Sequence, residues 1–273
     1  MFNKCYGLAL SDSNNLGPYQ AGAIMGLLHE LNHIGLPSHQ VVSGVSLGAL
    51  NGYIFSQHGF GDEAGIIGQL NDFWMKIAEQ NSEIVKSWGW GTIYGFFQEN
   101  SLYDASNLYK FIADYFQVHD PKRHVNLGIT NVLNGQYKSF KGVHSREEII
   151  KVLQASVSFP GVFKFVEAFD SLWFTGSAIY EIDVIAPINH CKKLGYEDKD
   201  IVLDVILSGN PHLPHQAATI MNAFQVGSRS FQIMNYYERM FGVLRAQSGH
   251  PDVEFRYIIG PEREMSNKII PIQ

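Results

Sequence analysis

Gly44-Val45-Ser46-Leu47-Gly48 sets a serine between two glycines, after the apolar pair Val41-Val42 and before an apolar run that starts at Leu47. A strand that turns sharply into a helix exposes a serine hydroxyl as a nucleophile. Glycines let the chain pass closely there, and the helix dipole favours a developing alkoxide. Gly44 and Gly48 are expected to shape such a turn and Ser46 to occupy its tip. A small-residue turn that only packs tightly would read the same way. Acyl chemistry at Ser46 would also need a base and a set of donors for the oxyanion. Three other segments stand in suggestive order: Ser11-Asp12-Ser13-Asn14-Asn15-Leu16-Gly17-Pro18-Tyr19-Gln20-Ala21-Gly22, Ala155-Ser156-Val157-Ser158-Phe159-Pro160-Gly161-Val162-Phe163, and Trp173-Phe174-Thr175-Gly176-Ser177-Ala178.

The elements that must position these segments follow from periodicity. Residues 5–10 read as a buried strand, and Pro18 opens a helical pattern to His33 with Ala21, Ile24, Leu27, Leu28 and Leu31 on one face. Val41-Val42-Ser43 predicts a second strand and 47–56 a second helix; 63–79 carries another helical stripe. Residues 81–105, rich in Gly, Trp and Phe, read as an irregular cover, and 106–116 as a short helix. A strand over 124–132 turns back at Asn134-Gly135 into 136–140. Ser145-Arg146-Glu147-Glu148 has the form of a capping box for a helix ending near Ser156. Further strands are expected at 172–175, 201–207 and 253–259, with a long amphipathic helix over 216–241. Strands alternating with helices imply one α/β domain spanning 1–273, a largely parallel sheet covered on both faces.

In order and spacing the quoted segments resemble the patatin-like phospholipase family, from Cys5 to about Leu207. The resemblance implies a three-layer α/β/α sandwich with a mostly parallel central sheet. It also implies hydrolysis of acyl esters of lipids by a serine–aspartate dyad without histidine, with lipid acyl chains or a membrane surface as partner. Ser46 takes the nucleophile position. The segment 155–163 and the Gly17-x-Tyr19-x-Ala21-Gly22 run match the family well.

Two sites depart from it, a loop and a turn, and both departures are chemical. The family's three oxyanion-loop glycines align with Asp12, Ser13 and Asn14, and its basic residue with Leu16; Gly17 is kept. Asp12 brings a negative charge towards an oxyanion, while Asn14 tolerates the left-handed backbone better than most residues. Thr175 stands at the position of the dyad aspartate, and its hydroxyl cannot act as a base near neutral pH. These departures point to an inactive or strongly impaired pseudoenzyme kept for a structural, assembly or lipid-binding role. The alternative is an active serine acyl hydrolase in which Asp183, Asp170 or Asp12 replaces the base. A further arrangement joins Ser46 and Asp183 with His212 or His215.

Composition narrows the remaining classes. The chain has 273 residues, 45% hydrophobic and 17% charged, enough to bury a sizeable core. A net charge of −6 with no Lys/Arg cluster argues against a nucleic-acid partner. Cys5 and Cys191, far apart in sequence, support neither a disulfide framework nor a zinc site. That reading makes an intracellular, reducing compartment the expectation, with no metal or cofactor. No signal peptide or 18-residue apolar run is read. The aromatics Trp88, Trp90, Tyr94, Phe96 and Phe97 suit either a greasy mouth for acyl chains or a cap over the core. Helical spacing of Phe224, Val226, Phe231, Met234 and Tyr237 suits core packing or a subunit interface. Protein partners in an assembly stay open, and Arg229, Arg239 and Arg245 are too dispersed for a phosphate site.

Overall fold

The computed structural model describes residues 3–13, 15–80, 83–116, 120–141, 145–209, 212–213, 215, 222–263 and 265. Its centre is an eight-stranded sheet in the order β10 (Glu254–Ile259), β9 (Ile201–Ile206), β1 (Cys5–Leu10), β2 (Val41–Val45), β5 (His124–Asn131), β8 (Ser171–Thr175), β7 (Val166–Ala168), with β6 (Tyr137–Lys141) on β5. The pairs from β10 through β5 are parallel; β6, β8 and β7 join antiparallel. β1, β2 and β9 are almost wholly buried, as strands covered on both faces must be.

The alternation along β1 sorts the two layers. Leu8 and Leu10 face the larger core with α1 (Gly17–His33), α2 (Leu47–Ser56), α3 (Glu63–Gln80), α5 (Ser106–Tyr115) and α6 (Arg146–Val157). Cys5 and Ala9 face the smaller core with α7 (Ile185–Lys193) and the second half of α8 (Ala223–Gly249). The result is the expected α/β/α arrangement. The capping box at α6 forms as read, with Ser145 accepting from Glu148 N and Glu148 accepting from Ser145 N.

Several expectations need correction. Residues 81–105 are not wholly irregular: β3 (Lys86–Ser87) pairs with β4 (Tyr103–Asp104), and α4 (Gly91–Gln98) lies between them. Glycines at both ends of a short aromatic run hid that helix. The helix expected over 216–241 runs instead to Gly249, starting at the Asn222 cap; 216–221 lie outside the described residues. The helix α7 and strand β7 were not expected. Cys5 and Cys191 form a disulfide, with Cα atoms 5.8 Å apart. Separation along the chain says nothing about distance in space: β1 and α7 pack face to face, so their thiols meet. The ground for expecting a reducing compartment is thereby removed.

Candidate active site

Register places Ser46 and Thr175 end to end. β2 pairs with residues 124–128 of β5 and β8 with residues 129–131, while β6 pairs with 126–130. β6 overlaps both of the others, so β2 and β8 must share the opposite edge of β5. Val45 then pairs with Gly128, and Thr175 with the adjoining Ile129. Ser156 ties the junction, its hydroxyl donating to the carbonyls of Ser46 (3.4 Å) and Gly128 (3.3 Å).

The turn itself is strained and tightly packed. Ser46 has φ 59° and ψ −132°, a backbone region glycine occupies without penalty and serine does not. A Cβ on Gly48 would come within 2.5 Å of the Ser11 carbonyl oxygen, and one on Gly44 would fall on the carbonyl of Gly48. Both glycines are therefore demanded by packing. Ser46 is 7% exposed and caps no helix N–H with its side chain.

No carboxylate reaches the Ser46 hydroxyl among the described residues. Thr175, 1% exposed, has its hydroxyl within 3.0 Å of the Ser177 hydroxyl and accepts from Ser177 N at 3.3 Å. Asp183 is committed elsewhere. Its Oδ2 accepts from Tyr137 (2.8 Å) and its Oδ1 from Ala186 N (2.9 Å) in the first turn of α7. Burial holds its pKa above the usual carboxylate value. Asp170, exposed at φ 52° in the β7–β8 turn, sits at the far end of β8 from Thr175, about 16 Å along the strand. Neither His212 nor His215 hydrogen-bonds Ser46 or Asp183 among the described residues.

The loop before α1 is held by a buried polar chain. Gln20 donates to the Ser11 carbonyl (2.9 Å) and Ser208 (2.8 Å). Asn51 donates to Gln20 (3.0 Å) and the Gly17 carbonyl (3.2 Å), and Trp74 donates to Asn51 (2.9 Å). Trp74 also lies where a Cβ on Gly17 would go. Leu16 is buried and Ser13 has a buried hydroxyl without a hydrogen-bond partner; Asn14 lies outside the described residues.

Glu181 and Arg239 are the residues the sequence reading missed. Asp12, fully buried, donates its N–H to the Glu181 carbonyl at 2.7 Å. Burial pushes the Glu181 carboxyl up to about 8, with the nearby Asp12 charge adding to it and Arg239 opposing. Arg239 donates to Glu181 at 3.3 Å, long for a charged pair and consistent with a protonated carboxyl near neutral pH. The guanidinium packs onto Gly209, where any Cβ would collide with it. Arg239 shares its helix face with the buried Val243 and Ala246; an arginine at that 4-then-3 spacing from small apolar residues was the available signal.

The model of the patatin-like phospholipase family matches residues 14–183, more than half of the chain and inclusive of Ser46 and Thr175. The chain belongs to that family. The patatin-like residues thus include the strand, turn and helix around Ser46, while Asp12 and the α8 arginine fall outside the matched span. Among solved structures, VipD from Legionella pneumophila is similar at 11% identity and a TM-score of 0.36, over 97% of this chain and 62% of that one. This patatin-like chain therefore spans less than two thirds of that protein's length. No curated protein matches.

Proposed function

We propose that this patatin-like chain is a pseudoenzyme, a family scaffold that hydrolyses acyl esters slowly or not at all and is kept for binding. One observation carries the reading. The residue abutting Ser46 at the end of β8 is a threonine engaged with Ser177, and Asp183, a candidate replacement base, is bound to Tyr137 and α7. Loss of a base from a cooperative nucleophile–base unit costs ~10⁴ or more in kcat. Crowding Asp12 and Glu181 by the expected oxyanion loop opposes a second anion there, and losing one oxyanion donor alone costs ~10²–10³. A fluorophosphonate probe tests it. The expected result is no appreciable labelling of Ser46 under conditions that label an active serine hydrolase to completion. Rapid stoichiometric labelling, abolished by Ser46→Ala, overturns it.

One feature supports a second reading, an active lipid acyl hydrolase with an unusual base. Ser46 keeps its strained backbone, and such strain, about 1–3 kcal/mol, gathers at working sites. That reading requires fatty-acid release from ester substrates that Ser46→Ala removes.

A further inference from the structure

His124 at the start of β5 and His190 on α7 stack face to face, with ring centroids 3.4 Å apart and planes 15° from parallel. The β5–β6 register shows what else shares their face of the sheet. Leu127 pairs with Phe140 and both enter the larger core, so the adjoining pair, Asn126 and Lys141, faces the α7 side. His124, two residues before Asn126 on β5, faces the same way. Lys193 lies three residues beyond His190, about one turn along α7. Three elements thus bring two imidazoles, two ammonium groups and one amide to one place.

Lys141 and Lys193 both act on both histidines and lower them, and no carboxylate among the described residues acts on either ring. Asp183, which feels Lys141, is engaged by Tyr137 and Ala186 N. Two buried side-chain nitrogens have no hydrogen-bond partner: Nδ2 of Asn126, a residue 1% exposed, and Nε2 of His124. The partial negative charge at a helix C-terminus accounts for basic residues in the last turn of α7. It does not account for His124 or Lys141, which come from the sheet. Nor are the two α7 lysines alike: Lys192 pairs with Asp198 at 2.8 Å, while Lys193 has no carboxylate partner among the described residues.

We infer that this junction of α7 with β5 and β6 binds a small oxyanion: free sulfate or phosphate, or the phosphoryl group of a soluble molecule. Lys141 and Lys193 supply the charge, and Asn126 Nδ2 and the imidazoles supply N–H donors. A metal cation is the wrong occupant, because two ammonium groups beside the histidines repel charge of that sign. With an anion in place a protonated imidazole gains a counter-charge, which offsets the repulsion from its stacked neighbour. Binding and proton uptake are therefore linked, and affinity rises as pH falls through the histidine range. The site lies about 13 Å along β5 from Gly128, the partner of Val45, so it is separate from Ser46 and independent of whether that serine reacts.

The test is isothermal titration calorimetry of the full chain with sodium sulfate, at constant ionic strength in chloride, at about pH 5.5 and about pH 8. Sulfate keeps its double charge over that range, so a pH effect belongs to the protein. Affinity is expected to rise about tenfold at the lower pH. Lys141→Gln with Lys193→Gln, both exposed, should lower it by more than about tenfold with thermal melting unchanged, and His190→Gln should flatten the pH dependence. Lys199→Gln, at an exposed lysine paired with Glu197 outside the junction, should leave binding as it is. Inorganic phosphate and glycerol phosphate, compared at about pH 8, separate the sources: equal affinity marks a free ion, and tighter ester binding marks a larger ligand. No sulfate binding at either pH, binding that the paired glutamines leave intact, or affinity that falls as pH falls overturns the inference. Zinc held by the two histidines in place of sulfate overturns it as well.

Discussion

The two backbone segments that meet at Ser46 are held in place differently. On one side, the β2–α2 turn keeps Gly44, Ser46 and Gly48 and a positive φ at the serine. On the other, the loop from Ser11 to Leu16 carries Asp12 and Ser13 and stands against Glu181 and Arg239. The first segment is fixed by contact: its glycines touch the backbone of Ser11 and of each other, whatever the chemistry. The second is fixed by hydrogen bonds to carbonyls, Ser11 and Gly17 accepting from Gln20 and Asn51, and these bonds use no side chain of residue 12 or 13. A glycine–serine–glycine turn therefore testifies to packing before it testifies to catalysis.

The largest effect should come from Gly48→Ala. Its Cβ would sit 2.5 Å from the Ser11 carbonyl oxygen and 3.0 Å from that of Leu10, both rigid backbone. We expect a loss of about 3 kcal/mol or more in urea unfolding, or no soluble protein. An alanine tolerated with less than about 1 kcal/mol would mean that the turn is not held by packing.

Why the first segment was legible in sequence and the second was not follows from the same contrast. Local signals found β1, α2, the α6 capping box and the Asn134-Gly135 turn, where Gly135 has φ 71°, because each is decided by neighbours in the chain. The meeting of Ser46 with Thr175 came from family order and is geometrically a matter of strand register. Glu181 with Asp12, Arg239 with Gly209 and Cys5 with Cys191 join residues that no local pattern links; their partners are set by the sheet order β9-β1-β2 and by α7 and α8 packing beneath it. The acid Asp183 looked available because its engagement with Tyr137 spans 46 positions.

Glu181→Gln sharpens the description of the second segment. Below its unfolded value of 4.5 the carboxyl is protonated folded or not. Between 4.5 and about 8 the unfolded chain releases the proton and the folded one keeps it, so stability falls as pH rises and levels off above about 8. The amide removes that slope. At pH about 8.5 the variant should exceed wild type by roughly 2 kcal/mol, with the gap closing towards pH 5. The histidines act on the other flank: burial holds His39 low, and burial with His190 beside it takes His124 down to about 4, so their contribution is lost as pH falls below about 6.5. Parallel curves for variant and wild type across this range would show that Glu181 ionises normally and that the two acids do not crowd the loop.

Ser46→Gly has the smallest expected effect and bears most directly on why the serine is there. At φ 59° and ψ −132° a side chain is a steric cost, which glycine removes while losing more entropy on folding. The balance should favour the variant by about 1 kcal/mol, near 2 °C in Tm by differential scanning calorimetry. Packing explains Gly44 and Gly48, but it cannot explain a residue that lowers stability. A gain would thus separate the serine from the glycines around it and strengthen the case that its hydroxyl serves a ligand or a residual reaction. A loss would join all three in one structural role, and the strain at Ser46 would no longer support the acyl hydrolase reading.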